Sequence, residues 1–385
     1  MRAFVTSLLI AGFLSCSAGI AQRGLAQEIE FVKTHLDNRF RSEGVAVADF
    51  NNDGQMDIAC ADVYFAGPDW ELVEMTAEPN VFDPKQYSES FVNAADDVDG
   101  DGWVDLIVMG FPGRETIWLE NPGQAGGLWE AHMILQETNN ESPTYTDIDG
   151  DGTAELVCSS GDKFVIVRRS DDVRQPWTMT PISTSMPNRT QRYFHGLGIG
   201  DINGDGRKDV LIPQGWFEAP QNLDEHEGPW AFHEADLGEE CGQMHVFDFD
   251  GDGDADVVSS SAHRYGVWWH EQTDSGWMTH TIDESFSQTH SMCFADINGD
   301  GTPDIVTGKR WWAHNGGDPG SDEPVLVHWF EVGRENGQPQ FAKHLADSNS
   351  GIGTQFVVHD VNGDGQLDIV TANKQGVFYL EQRRQ

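Results

Sequence analysis

The chain has 385 residues, with 64 Asp and Glu against 23 Lys and Arg and a formal net charge of −41 at pH 7. No basic run interrupts this surplus, so nucleic acid is excluded as an expected partner. The 42 Gly and 13 Trp suit a chain of many tight turns and aromatic-rich strands.

The N-terminus carries one early charge, Arg2, and then an apolar stretch rich in small residues over positions 5–21. This reads as an export signal cleaved after Ala21 or Ala26. Residues 1–26 are therefore expected to be a signal peptide, and the protein periplasmic or extracellular. The stretch is too short, and too broken by Ser and Gly, to be expected as a membrane span. Cys16 follows Phe13-Leu14-Ser15, a poor approach for lipid attachment. Cys60, Cys158, Cys241 and Cys293 lack zinc-ribbon spacing. They are expected to be buried thiols, with a Cys241–Cys293 bridge as the alternative.

From residue 27 onward one stretch organises the chain. It reads D-x-[DN]-x-D-G-x-x-[DE] and occurs seven times. The oxygen-bearing positions are Asp49, Asn51, Asp53 and Asp57 in the first copy and Asp97, Asp99, Asp101 and Asp105 in the second. The third has Asp147, Asp149, Asp151 and Glu155, and the fourth Asp201, Asn203, Asp205 and Asp209. The fifth has Asp248, Asp250, Asp252 and Asp256, and the sixth Asp296, Asn298, Asp300 and Asp304. The seventh has Asp360, Asn362, Asp364 and Asp368. Carboxylates and amides so closely spaced, with a glycine at the bend, suit a hard cation, and up to seven structural calcium ions are expected. These are not EF-hands. The twelfth loop position is Cys60, Val108, Cys158, Ile212, Ser259, Thr307 or Thr371, never a carboxylate.

Short β-branched runs flank each loop, as in Val45-Ala46-Val47-Ala48 before the first and Asp304-Ile305-Val306-Thr307 leaving the sixth. An aromatic third strand follows, such as Gly266-Val267-Trp268-Trp269-His270-Glu271, and then a fourth, such as Phe341-Ala342-Lys343-His344-Leu345. Copies begin about 50 residues apart, with one step of 64 between Asp296 and Asp360. Four strands at that period is the arithmetic of a propeller blade. The last repeat stops after its third strand, while Phe31-Val32-Lys33-Thr34-His35-Leu36 resembles a fourth. The expected fold is therefore all-β. It is a seven-bladed β-propeller of four-stranded blades over residues 27–385, closed by pairing the N-terminal strand with the C-terminal blade, which removes a free edge.

The loops, with Gly198-Ile199-Gly200-Asp201 before and Asp209-Val210-Leu211-Ile212 after, resemble the calcium-binding FG-GAP repeats of integrin alpha-chain propellers and the related bacterial VCBS-type repeats. A narrower stretch, from His195-Gly196-Leu197-Gly198 through Gly215-Trp216-Phe217-Glu218, resembles the propeller part of aldos-2-ulose dehydratase. That second resemblance implies elimination of water from oxidised sugars. The family also carries cupin domains, which have no counterpart here, so an isomerase activity is not implied.

The functional site is expected at the channel mouth opposite the acidic loops. Positions six before each first Asp sit at the open end of the inner strand and share one side of it. They are Glu43, Phe91, Glu141, His195, Gly242, His290 and Thr354. Turns on the same face add Trp216, His263, Arg264, Tyr265, Lys309, Arg310 and Lys374, and the approach to the fourth repeat adds Arg192. Cations gathered at one mouth of an acidic protein suit an oxygen-rich ligand such as a carbohydrate, with Glu43, Arg192, Trp216, Lys309 and Lys374 as binding candidates. Two chemistries fit. In β-elimination, His195 or His290 is the base, Tyr265 the acid and Arg264 or Arg310 the stabiliser. Alternatively His195, His263 and His290 hold zinc or another transition metal with an open position. Glu43 and Glu141 form a further acidic pair for glycoside hydrolysis. The expected function is a carbohydrate lyase or dehydratase; the alternative is a non-catalytic carbohydrate- or protein-binding, adhesion-type propeller. The sequence leaves the oligomeric state open.

Overall fold

The computed structural model describes residues 28–223 and 226–384, so the expected signal peptide and Cys16 lie outside the described residues. Apart from two short 3₁₀ turns, Gly123–Ala125 and Ala313–Gly316, the regular structure described is all strand. No described helix is long and apolar enough to cross a membrane.

The fold is an all-β propeller, but the expectation of seven separate four-stranded blades is corrected. Five sheets are four-stranded and one is eight-stranded. The eight-stranded sheet joins strands Leu197–Gly200 to Glu218 and Ala231–Glu234 with strands Gln243–Phe247 to Ser287. The seam is a parallel pairing of the two inner strands, Leu197 opposite Gln243 and Gly198 opposite Met244. Glycine permits it: a Cβ at Gly198 would stand 2.7 Å from the Met244 carbonyl oxygen, and one at Gly200 would stand 2.6 Å from Cβ of Val246. Without those side chains the backbones come close enough to bond, and two units become one sheet.

Ile29–Asp37 pairs antiparallel with Gly376–Arg384 in the sheet that also holds Phe356–His359 and Asp368–Asn373. The two ends of the chain thus share a sheet. Between neighbouring inner strands, Thr354 N donates to Glu43 O at 2.8 Å and Glu43 N to Ser90 O at 2.9 Å.

The apolar core lies between neighbouring sheets. Ile107 and Trp118 pack with Leu156 and Val165 of the next sheet, and Ile58 and Val63 with Val370 and Tyr379. On the outside, the third-strand Trp118, Trp216, Trp269 and Trp329 lie against His132, His233, His280 and His344 of their fourth strands. These histidines also face Glu120, Glu218, Glu271 and Glu331.

The acidic loops share one internal pattern. Asp49 accepts from the N–H groups of Asp53 and Gly54, and Asn51 also accepts from Asp53 N. The last acid is buried and reaches inward. Asp57 Oδ2 accepts from Phe50 N and Oδ1 from Gly67 N, both at 2.9 Å. Asp105, Asp209, Asp256, Asp304 and Asp368 repeat this staple between the loop and the end of the third strand. Glu155 makes the loop bond through Ile148 N. Burial pushes these carboxyls up, to about 6 at Asp57 and about 7 at Asp105. The ends of four third strands also grip the acidic loop of the preceding repeat: Asn121 donates to Phe50 O, Gln272 to Ile202 O, Arg334 to Phe249 O and Gln382 to Ile297 O.

All four cysteines among the described residues are free thiols, so the Cys241–Cys293 bridge is absent there.

Candidate functional site

Inner strands run from the mouth toward the acidic loops, so residues just before them meet on the mouth side. Glu43, Glu141, His195 and His290 each precede an inner strand by two or three residues, and all four converge near the axis. Arg310 follows Asp304–Gly308 and reaches in beneath them, only 1 % exposed. Its Nη2 donates to Glu43 Oε1 and its Nη1 lies 3.6 Å from Glu141 Oε2. Glu141 Oε2 is in turn 3.3 Å from His195 Nε2. Lys374 is buried below, its Nζ 4.0 Å from Glu43 Oε1 and 3.9 Å from the Tyr87 ring centre.

Four imidazoles crown this charged stack. Ring centres lie 4.6 Å apart for His195 and His263, 5.6 Å for His263 and His290, and 4.4 Å for His263 and His314. Nitrogen atoms of His263, His290 and His314 lie within 4.8 Å of one another, as do ligand atoms of Glu141, His195 and His290. Carbonyl oxygens orient two of the rings. His195 Nδ1 donates to Tyr193 O at 2.7 Å and His290 Nδ1 faces Gln288 O at 3.4 Å. His290 Nε2 is buried without a partner, whereas His195 Nε2 and Glu141 Oε2, equally buried, face each other as an ion pair. A buried imidazole turned by its far nitrogen, with the near one free, is the usual posture of a metal ligand.

The rings titrate in opposite directions. Burial and the neighbouring cation Arg310 hold His290 well below the ordinary histidine value, and burial with His195 and His314 lowers His263. Burial also opposes charge on His195, but Glu141 outweighs it and the pKa rises. Burial disfavours the Glu141 carboxylate, yet His195 and Arg310 dominate and hold it at about 2. His195 thus prefers its proton while His263 and His290 prefer to be neutral.

Above the cluster is a pocket of about 380 Å³, walled by Tyr87, Phe111, Arg192 and Tyr193 on one side and by Glu141, His195, Glu240, His263 and His314 on the other. A wider lobe beyond His263 and His314 is bordered by Glu239, Arg264 and Asp318. Arg192 rests 4.9 Å from both the Phe111 and Tyr193 ring centres.

The structure therefore brings together His195, His263, His290, Arg310, Glu43, Lys374, Arg192 and, at the rim, Arg264. Three candidates stand elsewhere. Trp216 is buried in an outer strand, stacked 4.2 Å from His233. Tyr265 donates to Glu323 at 2.7 Å. Lys309 is wholly buried and donates to Ser287 Oγ and Gly320 O, tethering the loop after its strand. Conversely, His314, Glu240, Tyr87 and Phe111 belong to the pocket but were absent from the sequence candidates. The signal for His314 was the 64-residue step, whose added length is the loop between Asp304–Gly308 and Val327–Glu335. Left-handed backbone at Trp312, His314 and Asn315 turns that loop back over the mouth.

In the acidic loops, Asp97, Asp99 and Asp105 bring carboxylate oxygens within 4.8 Å of one another, and so do Asp147, Asp149 and Asp151.

Residues 97–158 and 248–307 match the FG-GAP-like repeat family, each span opening on the first Asp of an acidic loop. No curated protein matches the chain. Among solved structures, the chain is similar to an Agrocybe aegerita lectin that recognises non-reducing terminal N-acetylglucosamine, at 16 % identity and a TM-score of 0.46, covering 92 % of this chain and 86 % of that one. It is also similar to the rhamnogalacturonan lyase YesW, at 12 % identity and a TM-score of 0.46, covering 90 % and 72 %. An auxiliary nutrient binding protein from Bacteroides ovatus follows at 9 % identity and 0.41, covering 72 % and 66 %.

Proposed function

We propose that the histidine mouth is the working site of an exported carbohydrate-active protein, and that it eliminates water or an alcohol from an oxygen-rich sugar ligand beside a bound divalent transition metal. One observation carries this reading: four imidazoles and Glu141 converge in a propeller mouth, where His290 Nε2 is buried with no partner. Leaving such a nitrogen empty costs free energy, and an ion would recover it. His263, His290 and His314 would hold the ion, and borderline imidazole donors favour zinc or a neighbouring first-row metal over calcium. Such an ion would supply a Lewis acid for the negative charge that develops on a carbonyl or carboxylate oxygen.

The chain's own residues divide the remaining work. His195, kept protonated by Glu141, is placed to give a proton to the departing oxygen. Glu240 has an oxygen within 4.8 Å of ring nitrogens of His195 and His263 and is the exposed carboxylate placed to take one. Tyr193 and Phe111 offer ring faces to a sugar, and Arg192 a cation to a carboxylate substituent. Arg310 lies beneath as a positioning group for Glu141. On the opposite face, the acidic loops bind calcium and hold the sheets in register.

The test is elemental analysis of protein purified without chelator or a His-tag, followed by a screen of oxidised sugars and uronate polymers for a new conjugated double bond. The expected result is about one transition metal per chain, lost in His290→Ala, together with turnover. Binding of a sugar without turnover, metal present or not, would leave a carbohydrate-binding propeller. Absence of both metal and sugar binding would overturn the reading.

A further inference from the structure

A second cleft, about 570 Å³, opens between the first two sheets, away from the histidines. One wall is apolar, formed by Val108, Ile117 and Leu119 of the second sheet. The opposite side is the turn at Asp62 and the segment 76–90 that links the two sheets. That segment is anchored, since Phe82 bridges to Phe40 and their rings meet at 5.9 Å. The charge in the cleft is one-sided. Among the lining residues Asp62, Glu78, Glu89 and Glu115 face one cation, Arg114, which stands 3.7 Å from Glu89 at the exposed rim, while the buried Arg41 lies behind the wall, donating to Asn80 O at 3.2 Å.

Asp62 is 6 % exposed. Its Oδ2 accepts two bonds from Asn80, each 2.8 Å, while its Oδ1 is buried with no partner. Thr76 Oγ1, in the same lining, is also buried and unpartnered. A carboxylate oxygen withdrawn from water and left empty is costly, and the group most able to offset that cost is a cation with N–H donors. Burial raises the pKa of Asp62 against the pull of Asn80 and the buried Arg41, and a cation in the cleft would add to that pull toward the charged form.

We infer that this cleft binds an organic cation, an ammonium or guanidinium head on an apolar stem, with the head on Asp62 and the stem along Val108, Ile117 and Leu119. The cleft shares no lining residue with the histidine pocket, so the inference stands apart from the reading given for that site. Glu78, Glu89 and Glu115 draw the cation in and reject anions of the same shape.

The probe is n-hexylammonium, with n-hexanol and hexanoate as isosteric controls, followed by titration calorimetry and ligand-observed NMR on the full chain. Saturable binding of hexylammonium, at least about tenfold tighter than hexanol, is expected. Asp62→Asn removes the charge with little change of shape and is expected to weaken binding about tenfold or more. Should that variant fail to fold, Ile117→Lys places a tethered ammonium in the cleft and is expected to abolish probe binding with the fold intact. Equal affinity for hexylammonium and hexanol overturns the inference, as does full probe binding in a folded variant of either kind.

Discussion

Removing the charge at Arg310 is the most direct test of the buried stack under the mouth. Arg310 and Glu43 are essentially fully buried, with Glu141 beside them. In Arg310→Met the stem volume is kept, but Glu43 and Glu141 lose their shared cation. Breaking one side of a buried ion pair typically costs about 3–5 kcal/mol, because the remaining charge has neither water nor partner. Lys374, 4.0 Å from Glu43 Oε1, supplies part of the compensation, so the lower end, about 3 kcal/mol, is expected. Glu43→Gln alone should cost less, since Arg310 keeps Glu141 at 3.6 Å. The double variant should be more stable than the sum of the singles predicts, by about 1–3 kcal/mol, because neutralising Glu43 relieves the carboxylate stranded by the first change. Urea unfolding at fixed pH and calcium measures all four proteins. A loss under about 1 kcal/mol for Arg310→Met, or strictly additive single variants, would refute the reasoning.

Three further outcomes are expected. Gly198→Val drives a side chain into the Met244 carbonyl at the parallel seam and should cost about 1–3 kcal/mol, whereas a value near zero in the same urea assay would mean that the two inner strands do not approach as described. Lys374 is pulled down to about 8, mainly by burial, so between pH 8 and its ordinary value the unfolded chain binds a proton that the folded chain does not. Stability should therefore rise with pH across that window by an amount that disappears in Lys374→Met; identical pH curves would contradict it. Excess chelator should lower the melting temperature sharply, because an ion held only by the folded loops stabilises them by mass action. An unchanged melting curve would count against calcium in the loops.

The sequence carried the acidic repeat openly, because each copy needs the same oxygen-bearing residues and the same glycine to close its turn. It also carried the mouth. The position six before each first Asp delivered Glu43, Glu141, His195 and His290 to one place, since a strand has a period of two and every inner strand runs in the same direction. Turn residues were harder to read. Lys309 and Arg310 are adjacent, yet one tethers a loop and the other lies beneath the histidines. Trp216 looks like a sugar platform in sequence but fills the same outer stack with His233 that Trp269 and Trp329 form with His280 and His344.

Local spacing alone thus determined the strand order within each repeat, the acidic loops and the residues that open each inner strand, because these depend on neighbours a few positions away. How many sheets form was settled only in three dimensions, where the absence of Cβ atoms at Gly198 and Gly200 lets two inner strands bond across a seam. The fourth histidine was likewise a tertiary decision. His314 lies 51 residues from His263, in a loop with no repeat to predict its path, and only the folding of that loop back over the mouth sets their ring nitrogens 3.1 Å apart.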